Sequence, residues 1–151
     1  MKTASSTSVE SRANTDNLGF LLAKASARWN QLLAAAFAER GFGEVQPSYG
    51  SVLLPLFEED GLRMGELGRR ARLSKQTMTT LIAQMERDGL VRRERDDGDR
   101  RARRVVLLPR AEAFRPVAEE VLAGLDSRIE EHLTRTTTEA MKRGLRSVIE
   151  A

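Results

Sequence analysis

Apolar residues recur at helical spacing along most of the chain. Residues 17–39 place leucine, alanine and Trp29 at i, i+3, i+4 and i+7, which is one face of a long helix. Thr15 or Asp16 is expected to cap this helix, and Gly41 to end it. A second helix is predicted from Pro47, followed by a short helix over MGELGRRA. The buried face of the second helix is predicted to be Val52, Leu53, Leu56 and Phe57.

The most clearly marked helix follows Ser74, a good N-cap residue. Its narrow apolar face is Met78, Leu81, Ile82 and Met85, and Gly89 is suited to end it. The hydrophobic period then changes, because LVRRE and RRVVLL are β-rich runs around the polar segment RDDGDRRA, which predicts a β-hairpin.

Helical spacing returns after the hairpin. From Pro109 onward a long amphipathic helix is predicted, with a kink or a late start because Pro116 lacks an N–H group. A last helix over the C-terminal residues is expected to be capped by one of Thr136–Thr138. The element order is thus α-α-α-α-β-β-α-α.

This order predicts a mainly α protein with a small β-hairpin. The short helix and the capped helix are joined by RLS, which is helix-turn-helix spacing, and the added hairpin makes residues 46–108 a winged helix-turn-helix region. Residues 16–45 and 109–151 are predicted to form a helical dimerisation region, because their apolar faces exceed what one small core can cover. Residues 1–15 are rich in Ser, Thr and Asn and are interpreted as a disordered lead-in.

Composition narrows the function classes. The chain has no cysteine and one histidine, His132, so disulfides, thiolate zinc sites and thiol redox switches are ruled out, and neither a metal nor a cofactor is expected. No nucleophile–base pair or glycine-rich phosphate loop is recognisable, so an enzyme is not predicted. Without an apolar run of about 18 residues or a secretory signal, the simplest interpretation is a cytoplasmic protein with no membrane association.

Charge is unevenly distributed along the chain. Residues 63–104 hold thirteen Lys/Arg and seven Asp/Glu, whereas the rest of the chain holds twelve and fifteen. A basic middle between acidic ends indicates a polyanion as partner, and double-stranded DNA fits a helix-turn-helix.

The predicted helix after Ser74 offers a face suited to reading bases. Opposite its apolar face lie Gln76, Thr80 and Arg87, flanked by Thr77 and Thr79, while Lys75 and the helix start at Ser74 can meet phosphates. Glutamine can bond adenine, and threonine can bond a base or contact a thymine methyl group. An ordinary solvated helix face would look similar.

The polar segment of the hairpin carries a further pattern. Asp99 and Arg101 are two residues apart and so lie on one side of an extended chain, where the carboxylate could hold and orient the guanidinium. An oriented arginine suits the narrow minor groove, and Arg100, Arg103 and Arg104 could meet phosphates. The alternative is a solvated surface ion pair with no partner.

The segment GELGRRARLSKQTMTTLIAQMERDGLVRRERDDGDRRARRVVLL resembles the winged helix of the MarR family of transcription regulators. The resemblance implies a homodimer that binds a pseudo-palindromic operator and that releases DNA when a small phenolic or aromatic effector binds. By position, Arg101 would enter the minor groove, braced by Asp99. The residues that would face the major groove are Ser74, Lys75, Gln76, Thr77, Thr79 and Thr80. Trp29, Phe57 and Phe114 are the candidates for an effector site, and Arg72 stands where the family usually has glycine.

Together these features predict a homodimeric, sequence-specific DNA-binding transcriptional regulator, with a repressor as the leading form. The alternative from another class is a winged-helix module that binds proteins and does not read DNA. Steep salt dependence of binding would favour the first hypothesis.

Overall fold

The computed structural model of the protein describes residues 15–151. The chain divides into two compact units, one ending at Leu32 and the other spanning Leu33–Ala151. Apart from Thr15, the predicted lead-in over residues 1–15 lies outside the described residues. None of the described helices is long and apolar enough to cross a membrane.

The first helix, α1, spans Leu18–Glu39 and passes through the boundary between the two units. Asn17 begins it, because its Oδ1 accepts the Phe20 N–H at 2.9 Å, so the cap lies one residue after the predicted Asp16. In the first unit Leu18 and Leu21 are exposed, and Trp29 is half-buried.

The second unit contains the remaining elements. A 3₁₀ turn over Pro47–Tyr49 leads into α2, and two long helices close the chain. The elements are α2 (Gly50–Glu58), β1 (Leu62–Arg63), α3 (Met64–Ala71), α4 (Lys75–Arg87), β2 (Val91–Asp96), β3 (Asp99–Leu107), α5 (Pro109–Leu133) and α6 (Arg135–Glu150). The mainly α fold with a winged helix-turn-helix is confirmed.

The sheet is antiparallel, with strand order β1-β3-β2. Strand β1 pairs Leu62 with Val105, and the hairpin pairs Val91 with Leu107 and closes at Asp96 and Asp99. The connection is therefore only two residues long, and most of the segment predicted to be a polar loop is strand. The predicted hairpin also gains a third strand.

The core of the second unit forms where α2, α3 and α4 meet the sheet. Leu56, Leu67, Ile82, Met85 and Val105 are fully buried, so the predicted apolar face of α4 is confirmed. Phe57, predicted to be buried, is only half-buried.

The structure excludes one of the two alternatives predicted for α5 and corrects the predicted cap of α6. Helix α5 begins at Pro109 and continues through Pro116, so it does not start late, and the kink at Pro116 stays a prediction. The cap of α6 is Thr134, whose Oγ1 accepts the Thr137 N–H at 3.3 Å, and not one of Thr136–Thr138. Thr134 reaches this geometry at a φ of 73°, which is rare for a β-branched residue.

Candidate nucleic-acid interface

Helices α3 and α4 are joined by a three-residue turn that local chemistry holds. Arg72 ends α3 in the left-handed conformation, with φ 54° and ψ 41°, and the Leu73 N–H donates to the Gly68 carbonyl at 3.1 Å. Ser74 Oγ accepts the Thr77 N–H at 3.1 Å and so caps α4 as predicted. The two helices pack closely at Gly68, which has no side chain. A Cβ added there would lie only 3.4 Å from Met78 Cγ.

Helix α4 presents a polar face to solvent. The exposed residues on it are Lys75, Gln76, Thr77, Thr79, Thr80 and Arg87. Two of the hydroxyls are already engaged, since Thr79 donates to the Lys75 carbonyl at 2.9 Å and Thr77 accepts from Ser74 Oγ at 2.8 Å. Gln76 and Thr80 line a shallow hollow of about 360 Å³ together with Thr77, Leu81 and Gln84.

The wing holds Asp99 and Arg101 differently from the prediction. Asp99 Oδ1 accepts the backbone N–H of Arg101 at 2.9 Å and not its guanidinium. Asp99, Arg100 and Arg101 are exposed on β3, and Arg103 donates to the Arg100 and Ala102 carbonyls at 3.4 Å. Asp99 therefore shapes the backbone at the tip and leaves the Arg101 side chain free to extend.

The carboxylate that anchors the wing is Asp96, one of the acidic residues of the polar segment RDDGDRRA. Asp96 is 5% exposed and pairs with Arg104 Nε at 3.1 Å and with the Arg63 guanidinium from β1. Burial alone would raise the pKa of Asp96, but the Gly98 N–H, Arg104 and Arg63 hold it below its usual range. Arg104 also donates to the Gly61 carbonyl at 2.8 Å, so it serves the scaffold rather than a phosphate.

A basic cleft of about 960 Å³ lies between the helix-turn-helix and the wing. It is lined by residues of β1, α3, the turn after α3, α4, β2 and β3, including one acidic residue, Glu66, and seven basic ones. The basic residues are Arg63, Arg69, Arg72, Lys75, Arg93, Arg101 and Arg103. The cleft is therefore positively charged both on the side of the helix-turn-helix and on the side of the wing.

The C-terminal end of α4 is tied to the start of α2. Tyr49 is 1% exposed, and its hydroxyl donates to Asp88 Oδ2 at 2.5 Å. Burial, together with the hydrogen bond and the negative charge of Asp88, raises the pKa of Tyr49 to about 12. This contact could not be predicted from a local pattern, because the two residues are 39 positions apart.

The three aromatic candidates for an effector site occupy different settings. Phe114 is buried with its ring centroid 4.8 Å from Phe37 and 5.3 Å from Phe42. Phe57 is half-buried, with the Arg115 guanidinium 4.9 Å from its ring centroid, and Trp29 belongs to the first unit. Their assignment to an effector site stays a prediction. In residues 15–151 no cluster of His, Asp and Glu has the composition of a metal site.

A capped helix packed on a short helix, followed by a hairpin anchored to both, defines a winged helix-turn-helix protein. Residues 45–102 match the family model described as MarR family. This match confirms that the winged helix-turn-helix region resembles the MarR family, as the sequence predicted.

Two curated relatives resemble part of the chain. The HTH-type transcriptional regulator TtmR of Methylorubrum extorquens (strain PA1) is 48% identical over 50 residues, which are 33% of this chain and 26% of TtmR. An uncharacterized HTH-type transcriptional regulator of Bacillus subtilis (strain 168), YcgE, is 36% identical over 74 residues, 44% of this chain and 47% of YcgE. The chain thus matches less than half of the length of either relative.

Solved structures resemble the chain over nearly its whole length. A probable transcriptional regulator from Pseudomonas aeruginosa shares 25% identity and a TM-score of 0.76, covering 89% of this chain and 97% of that one. The transcriptional repressor CouR, in a structure bound to a 23-mer DNA duplex, is 24% identical with a TM-score of 0.77, covering 89% of this chain and 94% of CouR. PcaV from Streptomyces coelicolor, in complex with its natural ligand, is 20% identical with a TM-score of 0.77, covering 91% of this chain and 94% of PcaV. Both share the fold.

Proposed function

We propose that the protein is a sequence-specific DNA-binding transcriptional regulator of the cytoplasm, acting as a repressor. The observation that carries this proposal is the pairing of an exposed, mostly uncharged face on α4 with an arginine-bearing wing beside it. The α4 face would enter the major groove, which is about 12 Å wide and admits a helix. The wing would bring Arg101 to the adjacent minor groove.

The roles of the individual residues follow from their settings. Gln76 and Thr80 are proposed to contact bases, and Ser74, Lys75, Thr77, Thr79 and Arg87 to contact bases or phosphates around them. On the wing, Arg101 enters the minor groove while Asp99 fixes the backbone that carries it. Arg100 and Arg103 lie on the same strand and would meet phosphates.

The experiment that tests this proposal is selection of bound duplexes from a random pool at two salt concentrations. A conserved site whose affinity falls steeply with salt is expected. Gln76→Ala should then lose about 1–3 kcal/mol of base discrimination, and Arg101→Ala should weaken binding while the fold is kept. A matched control is Arg128→Ala, which removes an exposed arginine from α5. If the pool yields no preferred site and no salt dependence, the alternative, a winged-helix module that binds proteins, is favoured.

We further propose a homodimer on a pseudo-palindromic operator. Helix α6 carries its large apolar residues on one face, and that face is exposed. The exposed residues are Met141, Leu145, Val148 and Ile149, together with Leu133 at the end of α5. A second copy could cover this surface. Light scattering should give twice the chain mass of 16.8 kDa, and Leu145→Asp should reduce it to one copy. A wild-type mass of one copy would contradict the dimer.

A small aromatic effector is proposed by analogy with the ligand complex of PcaV. The candidate residues are Phe57 and Phe114 in the second unit and, considered separately, Trp29 in the first. Aromatic acids should release the operator in a titration, and Phe57→Ala should raise the concentration required. Trp29 is the only tryptophan, so its fluorescence offers a direct binding signal. Release that Phe57→Ala leaves unchanged would remove this residue from the site.

A further inference from the structure

Arg72 adopts a backbone conformation that is unfavourable for its residue type. Its φ of 54° lies in the left-handed region, where the Cβ of an L-residue is crowded and glycine is preferred. The neighbouring turn does not require an arginine side chain, because the local hydrogen bonds run between backbone atoms of Gly68, Arg69, Arg72 and Leu73. A strained position that keeps a long charged side chain suggests that the side chain has a use outside the fold.

The Arg72 side chain is exposed and lines the basic cleft. Over the described range 15–151 its guanidinium has no hydrogen bond or ion pair. Three other arginines of the cleft do have carboxylate partners, since Arg63 pairs with Asp96, Arg69 with Glu66, and Arg93 with Glu86. The other four basic residues of the cleft thus leave positive charge that no carboxylate of the described part of the chain neutralises. They are Arg72, Lys75, Arg101 and Arg103.

The position of the cleft specifies what could neutralise this charge. One of its walls is formed by the turn and start of α4, and the other by β3 with Arg101. On B-DNA the major and minor grooves are separated by one sugar–phosphate strand. A protein with α4 in one groove and the wing in the next must therefore accept that strand between them.

We propose that this cleft binds the intervening DNA strand and that Arg72 contacts one of its phosphates. This inference rests on the proposed function and adds a contact that is independent of base sequence. Because phosphate contacts position a protein without reading sequence, Arg72 should contribute equally to operator and unrelated DNA.

The test compares Arg72→Gly, Arg72→Lys and the wild type on the selected operator and on a scrambled duplex, over a range of salt concentrations. Arg72→Gly removes the charge and the backbone strain together, so thermal unfolding should occur at the same or a higher temperature. Its slope of log affinity against log salt should fall by about 0.9, the value for one phosphate, on both duplexes. Arg72→Lys keeps the charge and should keep the wild-type slope. Arg92→Gln is the charge-matched control, since Arg92 pairs with Glu94 outside the cleft.

The outcomes separate this inference from the proposed function. Two results with a wild type that selects an operator would overturn the phosphate contact and leave the proposed function intact. In one, Arg72→Gly keeps the wild-type salt slope. In the other, it loses only the preference for operator over scrambled DNA. If the wild type binds neither duplex at low salt, the proposed function fails, and the inference with it. An equal loss of slope in Arg92→Gln would show a general charge effect and would also overturn the contact.

Discussion

Tyr49 provides a stability prediction whose magnitude follows from one contact. In the folded chain its buried hydroxyl donates to Asp88, which raises the pKa of Tyr49 to about 12 from an ordinary value of 10. The folded state therefore favours the neutral phenol more strongly than the unfolded state does. The corresponding stability is fully present below about pH 10 and is lost as the pH rises toward about 12. At about 1.4 kcal/mol per pKa unit, the loss is about 3 kcal/mol.

Tyr49→Phe should remove this dependence. At neutral pH the variant should lose about 1 kcal/mol of unfolding free energy, because the hydrogen bond is gone but Asp88 is only half-buried and can be hydrated. Between pH 10 and about 12 its unfolding free energy should fall by about 2 kcal/mol less than that of the wild type, and the full difference of about 3 kcal/mol is reached above that range. Urea denaturation of both proteins across this pH range measures the difference between their unfolding free energies. Lysine titration affects both proteins equally and so cancels in that difference.

The chain supplies its own spectroscopic check, because Tyr49 is its only tyrosine. The ultraviolet absorption of tyrosinate therefore reports this residue alone. The native protein should titrate near pH 12, and the urea-unfolded protein near the ordinary value of 10. A native midpoint near 10, or parallel stability curves for the wild type and Tyr49→Phe, would refute the reasoning.

Three further perturbations test other contacts. Ser74→Ala should lose about 1 kcal/mol in urea denaturation, because the N-cap of α4 is removed. Phe114→Ala should lose about 3–5 kcal/mol by the same measurement, because its ring fills space between Phe37 and Phe42. Asp96→Asn should weaken DNA binding in a gel-shift titration by loosening the wing. Because the pKa of Asp96 is lowered, the wild type should also lose stability as the pH falls through that pKa, and the variant should lose less.

Elements whose signals are local could be predicted from the sequence. The apolar period of α4, its Ser74 cap and its glycine stop all lie within one segment, and the structure places α4 there. The short helix α3 also occupies the predicted residues despite two glycines, because Leu67 is fully buried and tertiary packing holds it. The polar face of α4 could be assigned for the same reason, since helical rotation fixes which residues oppose a buried stripe.

Features that depend on distant residues could not be predicted. Strand β1 has only two residues and exists because it pairs with β3, about forty positions later in the chain. Asp96 looks like any charged residue of a polar run until the fold brings Arg63 beside it. The two-residue connection of the hairpin did have a local signal, the Asp-Gly pair at positions 97–98, which the interpretation of the whole segment as a loop overlooked.

The ion pairs also change how the basic middle of the chain should be interpreted. The charge count treats its arginines alike, but Arg63, Arg93 and Arg104 are held by buried or half-buried carboxylates and stabilise the wing. The proposed DNA contacts are therefore made by the basic residues without a carboxylate partner, above all Arg72 and Arg101. These side chains project from a turn and a strand whose backbones are already fixed, by the cap of α4 and by Asp99. Binding would then require ordering of the side chains alone, at about 0.5–1.5 kcal/mol each, and the helix-turn-helix and the wing would meet DNA already in place.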